Sequence, residues 1–227
     1  MAVITISRQF GSGGDEIARG LCETLRYQPF DKRMIAQAAA EAGLSDLDPT
    51  EAENQKVASF LDRLFDISPV IGSSSWQEDL PGLYTPEGSR ENPDVSIALV
   101  RRAIERACEM GGVVIVGRAG QMILRDCPGV LHVRIEAPLE ERVRRVKGYL
   151  KKTRKLFNTD AELQRDAYDW VLERDAASAQ YVRRHFQADW ADPLLYHIVL
   201  NTGKLSLEQA LHVIIRLVQD IEERNPD

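Results

Sequence analysis

The stretch that decides the fold is Val3-Ile4-Thr5-Ile6-Ser7-Arg8-Gln9-Phe10-Gly11-Ser12-Gly13-Gly14-Asp15-Glu16-Ile17. A short β-branched run, Val3 to Ile6, leads into a glycine cluster. Ile17, Ala18, Leu21 and Leu25 then follow at helical spacing. Strand, glycine loop and helix in this order bring backbone N–H groups to a helix N-terminus, where the dipole favours an anion. The phosphate-loop pattern GxxxxGK[ST] fits only in part. With Gly13 as its second glycine, Arg8 stands at the first glycine, Gly14 at the lysine and Asp15 at the Ser/Thr. Two readings follow. In one, Gly11, Ser12, Gly13 and Gly14 cradle nucleotide phosphates, and Arg8 supplies the missing cation through a guanidinium suited to phosphate. In the other, the glycines only relieve a tight turn, and Asp15 and Glu16 complement the helix dipole without a ligand. Acids here repel a phosphate unless a metal stands between, so Asp15 is a candidate Mg²⁺ contact.

Outward from this stretch, residues 31–43 read as an alanine-rich helix stopped by Gly43. From about 44 to 93 the pattern weakens to a helical piece around 57–65 and a long Ser-, Gly- and Pro-rich loop. Regular structure resumes with a helix from about 95 to 110 and strands at 113–116 and 131–135. Helices at about 139–151 and 160–186, a strand at 197–200 and an amphipathic helix at 206–223 complete the order. Strands alternating with helices predict an α/β fold with a parallel sheet covered on both faces. Arg118 follows the 113–116 strand. Ligands in open α/β sheets bind beyond the carboxyl ends of strands, so Arg118 is a second candidate anion contact.

The chain has 227 residues and a formal net charge of −6, which fits one compact domain with an insertion. No apolar run approaches the roughly 18 residues of a membrane helix, and the N-terminus does not read as a secretory signal. Cys22, Cys108 and Cys127 are odd in number and far apart in the chain, so neither a zinc site nor a disulfide framework is expected, and a reducing cytoplasm is. The acidic balance argues against a nucleic-acid partner. One segment opposes it: 142–155 holds eight basic residues and no acid. Single-signed charge of this kind predicts a self-repelling flap over an anionic substrate. Trp170, Trp190, Tyr181 and Tyr196 read as packing groups, and the four histidines as scattered.

Together, ITISRQFGSGGDEIARGL at 4–21, PFDKRMI at 29–35, VVIVGRAGQMIL at 113–124 and RDAASAQYVRRHFQADWADPLLYHIVLNT at 174–202 resemble the cytidylate kinase-like proteins. These are relatives of the bacterial cytidylate kinases among the P-loop nucleoside monophosphate kinases. The resemblance covers nearly the whole chain. It implies a three-layer P-loop kinase fold with a five-stranded parallel sheet, all within one domain. The core would be 1–44, 95–140 and 195–227, with a monophosphate-binding insertion at about 45–94 and a helical lid at about 142–188. It further implies nucleotides as partners, with ATP as donor, Mg²⁺ as cofactor and CMP or a related nucleoside monophosphate as acceptor. By the same resemblance Arg142, Arg145 and Arg174 close over the transferring group, with Asp175 holding an arginine. Asp31, Lys32 and Arg118 bind the acceptor. Gly14 replaces the lysine of the true cytidylate kinases, a departure the resemblance extends to the cytidylate kinase-like relatives, and three more positions depart from the expected pattern: Ala119 replaces aspartate, Ser178 replaces arginine and His197 replaces aspartate. A nucleotide-binding regulatory protein with little or no turnover, or a kinase of another small molecule, therefore stands beside the nucleotide kinase.

Overall fold

The computed structural model describes residues 1–31, 33–35, 37, 93–153 and 159–224. Five strands form one parallel sheet: β1 (Val3–Arg8), β2 (Gln28–Pro29), β3 (Val113–Val116), β4 (Val130–Glu136) and β5 (Ile198–Asn201). Their order is β2-β3-β1-β4-β5, so β1 lies at the centre. It pairs in register with β3, Ile4 beside Val114, and with β4, Ile4 beside Leu131. The helices are α1 (Gly14–Leu25), α2 (Pro93–Met110), α3 (Gly120–Ile123), α4 (Leu139–Thr153), α5 (Asp160–Phe186) and α6 (Leu207–Arg224).

Strand alternation splits the core. Ile4, Ile6, Val114, Val116 and Val133 face α1 and α6, where Ile17, Leu21, Ile214 and Val218 meet them. Val3, Val113 and Ile115 face the other way, onto Val100, Ile104 and Ala107 of α2. Both faces of the sheet are thus covered by helices. A third cluster joins α4 to α5 through Val143, Val146, Leu150, Leu163, Ala167 and Val171, with Phe10 of the glycine loop packed against it. Thr159 starts α5 with a capping box shared with Glu162.

The expected α/β sheet is present, and the boundaries of α5 coincide with the expected 160–186. The sequence reading did not foresee the two-residue β2, the four-residue α3 or the 3₁₀ turn at Pro193–Leu195. The expected elements between 44 and 92 lie outside the described residues. The cysteine reading needs one correction. Cys108 and Cys127 are remote in the chain, yet both pack on the α2 face of the core. Burial pushes the Cys108 thiol up to about 11, with neighbouring Cys127 adding to it. All three cysteines are free thiols. Among the described residues, no helix is long and apolar enough to cross a membrane.

Candidate functional site

The loop between β1 and α1 lies at the carboxyl end of the central strand. Gly11 and Gly13 take positive φ, 77° and 85°, and Gly13 is the residue that caps α1. Between them the Ser12 amide donates to Gln9 O at 3.2 Å, which closes a tight turn within the loop. Among the described residues, no protein acceptor takes the amides of Gly11, Gly13 or Gly14. The Ser12 hydroxyl is fully buried in the same loop, and its Oγ also meets no partner. Buried polar groups are normally satisfied, so this loop has hydrogen-bonding capacity that the protein does not use.

The loop's carbonyls, by contrast, are engaged from outside. Arg142 Nη1 donates to Phe10 O at 3.2 Å and its Nε to Ala137 O at 3.0 Å. Arg145 Nη1 donates to Ser12 O at 2.9 Å and to Thr202 Oγ1 at 3.0 Å, and its Nη2 donates to Thr202 O. The Thr202 hydroxyl also donates to Ser12 O. Asp175 completes the bracket. One oxygen accepts from Arg142 Nη1 at 2.6 Å and the other from the Phe10 amide at 2.8 Å. Arg174 lies over the rings of Phe10 and Trp170, 5.9 and 5.7 Å from their centroids. With its carbonyls held by arginines and a threonine, the loop's backbone conformation is fixed before any ligand arrives.

Four of the expected arginine-group residues, Arg142, Arg145, Arg174 and Asp175, therefore meet at the loop. Their positions correct two expectations. Arg142 is buried and bound to backbone oxygens and Asp175, so it braces the loop where it had been expected to close over it. The basic run is also not free charge. Arg144 and Arg145 pair with Glu141, Lys147 with Asp160 and Arg142 with Asp175. The acids lie outside the 142–155 window, which is why the window alone reads as single-signed.

Arg8 ends β1, and its Nε donates to Asp15 Oδ1 at 3.1 Å. Asp15 is thus engaged by a cation within its own loop. Arg118 follows β3 in a run of three left-handed residues, Gly117, Arg118 and Ala119. Two of these are not glycine, a costly backbone that marks a constrained site. The Arg118 Nη2 is sealed from solvent. Burial pushes the Arg118 guanidinium down to about 10, Tyr181 opposing and Arg8 reinforcing the shift. Arg8 and Arg118 are thus brought within mutual influence at adjacent strand ends. Asp31 accepts from the Arg33 and Met34 amides and pairs with the exposed Arg33 side chain, so it caps a helical turn. Lys32 lies outside the described residues.

The sequence reading missed four participants. Arg134 is 1% exposed in β4. It donates to Glu136, Ser7, the Trp190 carbonyl and Tyr196, and stacks 4.2 Å from the Trp190 ring. A charged residue inside Leu131-His132-Val133-Arg134-Ile135 was a visible signal. Tyr196 belongs to this network through Ser7 and the Trp190 carbonyl, so its role exceeds packing. Thr202 and Gln9, whose side chain accepts from the Ala137 amide, gave no sequence signal.

Mg²⁺ would have one carboxylate here. Among the described residues no group of three or more His, Cys, Asp or Glu could hold a metal. Asp15 alone suits an ion that keeps its waters and is held chiefly by substrate phosphates. The residues thus fit an ion that arrives with the nucleotide.

The model of the cytidylate kinase-like family matches residues 3–204. The chain belongs to the cytidylate kinase-like family. It is 28% identical over 137 residues to a cytidylate kinase of Aeropyrum pernix, covering 59% of this chain and 73% of that one. It is 27% identical over 123 residues to a cytidylate kinase of Methanosphaerula palustris, covering 54% of this chain and 64% of the relative. Among solved structures, an uncharacterized protein from Eubacterium ventriosum superposes with a TM-score of 0.60 at 20% identity, over 96% of this chain and 99% of that one. That likeness shows the fold alone. In this member the glycine loop follows the central strand of a five-stranded parallel α/β sheet.

Proposed function

We propose that this chain is an ATP-dependent nucleotide kinase that transfers the γ-phosphoryl group to CMP or a related nucleoside monophosphate. One observation carries the reading: the amides of Gly11, Gly13 and Gly14 meet no acceptor among the described residues, while arginines bind the loop's carbonyls. Phosphoryl transfer asks a protein chiefly for positioning and charge neutralisation, and this loop supplies both. The Gly11, Gly13 and Gly14 amides and the Ser12 hydroxyl would hold donor phosphate oxygens. Asp15 would hold Mg²⁺ directly or through water, and the ion would supply further charge neutralisation at the donor phosphates. Arg118, from the next strand, would orient the acceptor phosphate, and Asp31 and Lys32 would complete that side. Arg142, Asp175 and Arg145 would keep the loop in its binding shape, and Arg174 stands at the loop entrance for the transferring charge. Residues 142–188 would form the lid, and about 45–94 the monophosphate-binding insertion.

A regulatory protein with little turnover is the second reading, favoured by the Arg8–Asp15 pair. That pair must be broken before either side chain reaches phosphate or metal. A coupled ADP-release assay across CMP, UMP, AMP and GMP tests both. Acceptor-dependent ADP release, greatest with CMP or a near relative, supports the kinase. Nucleotide binding without release for any acceptor selects the regulatory reading.

A further inference from the structure

Gly14 opens α1 and, unlike Gly11 and Gly13, does not take a positive φ. Its backbone therefore accepts any side chain. Space forbids one. A Cβ on Gly14 would lie 2.6 Å from Arg8 Cβ and 2.8 Å from Arg8 Cγ, whereas Ile135 at 3.5 Å makes an ordinary contact. The obstructing atoms are the root of the Arg8 side chain, which cannot swing away as its tip can. Positions 8 and 14 thus compete for one volume. In the GxxxxGK[ST] pattern these two positions hold glycine and lysine. Here they hold arginine and glycine.

We propose that cation and glycine have exchanged places in this phosphate loop: Arg8 crosses a bare Gly14 and brings the donor phosphates the charge a lysine would otherwise bring from the helix. Asp15, at the Ser/Thr position, holds the Arg8 guanidinium in reserve at 3.1 Å. Arg8 lies near enough to disfavour the Arg118 charge, and an anion between the two relieves that repulsion. The inference rests on the donor site proposed above and adds to it the source of the cation and the reason for Gly14.

Two measurements test it. The first is the thermal midpoint of Gly14→Ala in three backgrounds. Because the nearest obstructing atom is the Cβ of residue 8, Arg8→Ala leaves the clash and Arg8→Gly removes it. Gly14→Ala should lower Tm in the wild-type and Arg8→Ala chains and not in Arg8→Gly. The second is calorimetric titration with Mg-ATP. Arg8→Ala and Arg8→Gly should weaken binding about ten- to hundredfold. The triple variant Arg8→Gly/Gly14→Lys/Asp15→Ser, which restores the GxxxxGK[ST] order, should return to within about threefold of wild type. An equal Tm cost in all three backgrounds overturns the exchange. So does wild-type affinity in Arg8→Ala, or a triple variant no better than Arg8→Gly. These three outcomes leave the donor site standing. A wild-type chain that binds no Mg-ATP overturns the donor site and the exchange together.

Discussion

The glycine loop and the α4–α5 pair both display arginines, and they use them oppositely. In the helices, Arg142 and Arg145 turn inward onto Asp175, Glu141 and carbonyls of other segments. In the loop, Arg8 lies over a glycine and pairs with Asp15, beside amides that meet no protein acceptor among the described residues. The helical arginines act on the protein, whereas the loop arginine stands where a ligand can take it. A count of positive residues reverses this ranking, because eight cations at 142–155 outnumber one at 8. Partners decide what a charge does, and partners are set by the fold.

The largest effect should come from breaking the inward-facing set. Arg142 is 5% exposed, and removing its partner leaves an uncompensated buried charge, worth about 3–5 kcal/mol. Asp175→Ala should therefore lower Tm by roughly 10 °C, read by calorimetry. A shift of a degree or two would show that the bracket contributes little and that the two regions differ less than their geometry says.

Next comes a buried group away from the loop. His132 hydrogen-bonds Thr5 and stacks on His197 at 4.9 Å. Burial pushes its pKa down to about 4, with His197 adding to the shift. Between the ordinary 6.5 and about 4 the unfolded chain binds more protons here than the folded one. This share of stability is thus complete above pH 6.5 and is lost as pH falls through that window. Its size is on the order of 3 kcal/mol. Tm measured from pH 8 to 4 should fall steeply below 6.5, and His132→Gln should flatten the curve. An unchanged slope would place the acid sensitivity elsewhere.

The loop arginine should show the reverse balance. Arg8→Ala should cost binding while lowering stability by less than Asp175→Ala does, because truncating Arg8 removes the charge itself and leaves Asp15, 16% exposed, still in contact with water. A stability loss as large as that of Asp175→Ala would erase the contrast. Smallest of all, Arg144→Ala should leave Tm and affinity unchanged within error, since the Arg144–Glu141 pair is solvent-exposed on the Arg144 side.

Much of the scaffold was readable in advance. The β-branched runs of β1, β3 and β4 and the long apolar stripe of α6 are local signals. β2 was not readable, because two residues paired on one side carry no periodicity. The bracket was half readable. Arg142, Arg145, Arg174 and Asp175 came from family resemblance, but their targets, Phe10 and Ser12, lie more than 130 residues away from Arg142 and Arg145. Glu141, Asp160 and Asp175 pair with four of the run's eight cations from outside it, which no window of charge reveals. The crowding of Gly14 by Arg8 was invisible as well. The sequence marks both residues as departures from GxxxxGK[ST], but only the fold shows that a side chain at 8 leaves no room for one at 14.

Occupancy of the glycine loop decides most directly between a donor site and a tight turn. A crystal structure with Mg²⁺ and a non-hydrolysable ATP analogue at saturation should place phosphate oxygens within about 3.2 Å of the Gly13 and Gly14 amides. The Arg8 guanidinium should have moved from Asp15 onto those oxygens. Bound nucleotide with its phosphates elsewhere, the Arg8–Asp15 pair intact and the Gly13 and Gly14 amides untouched would contradict the donor site.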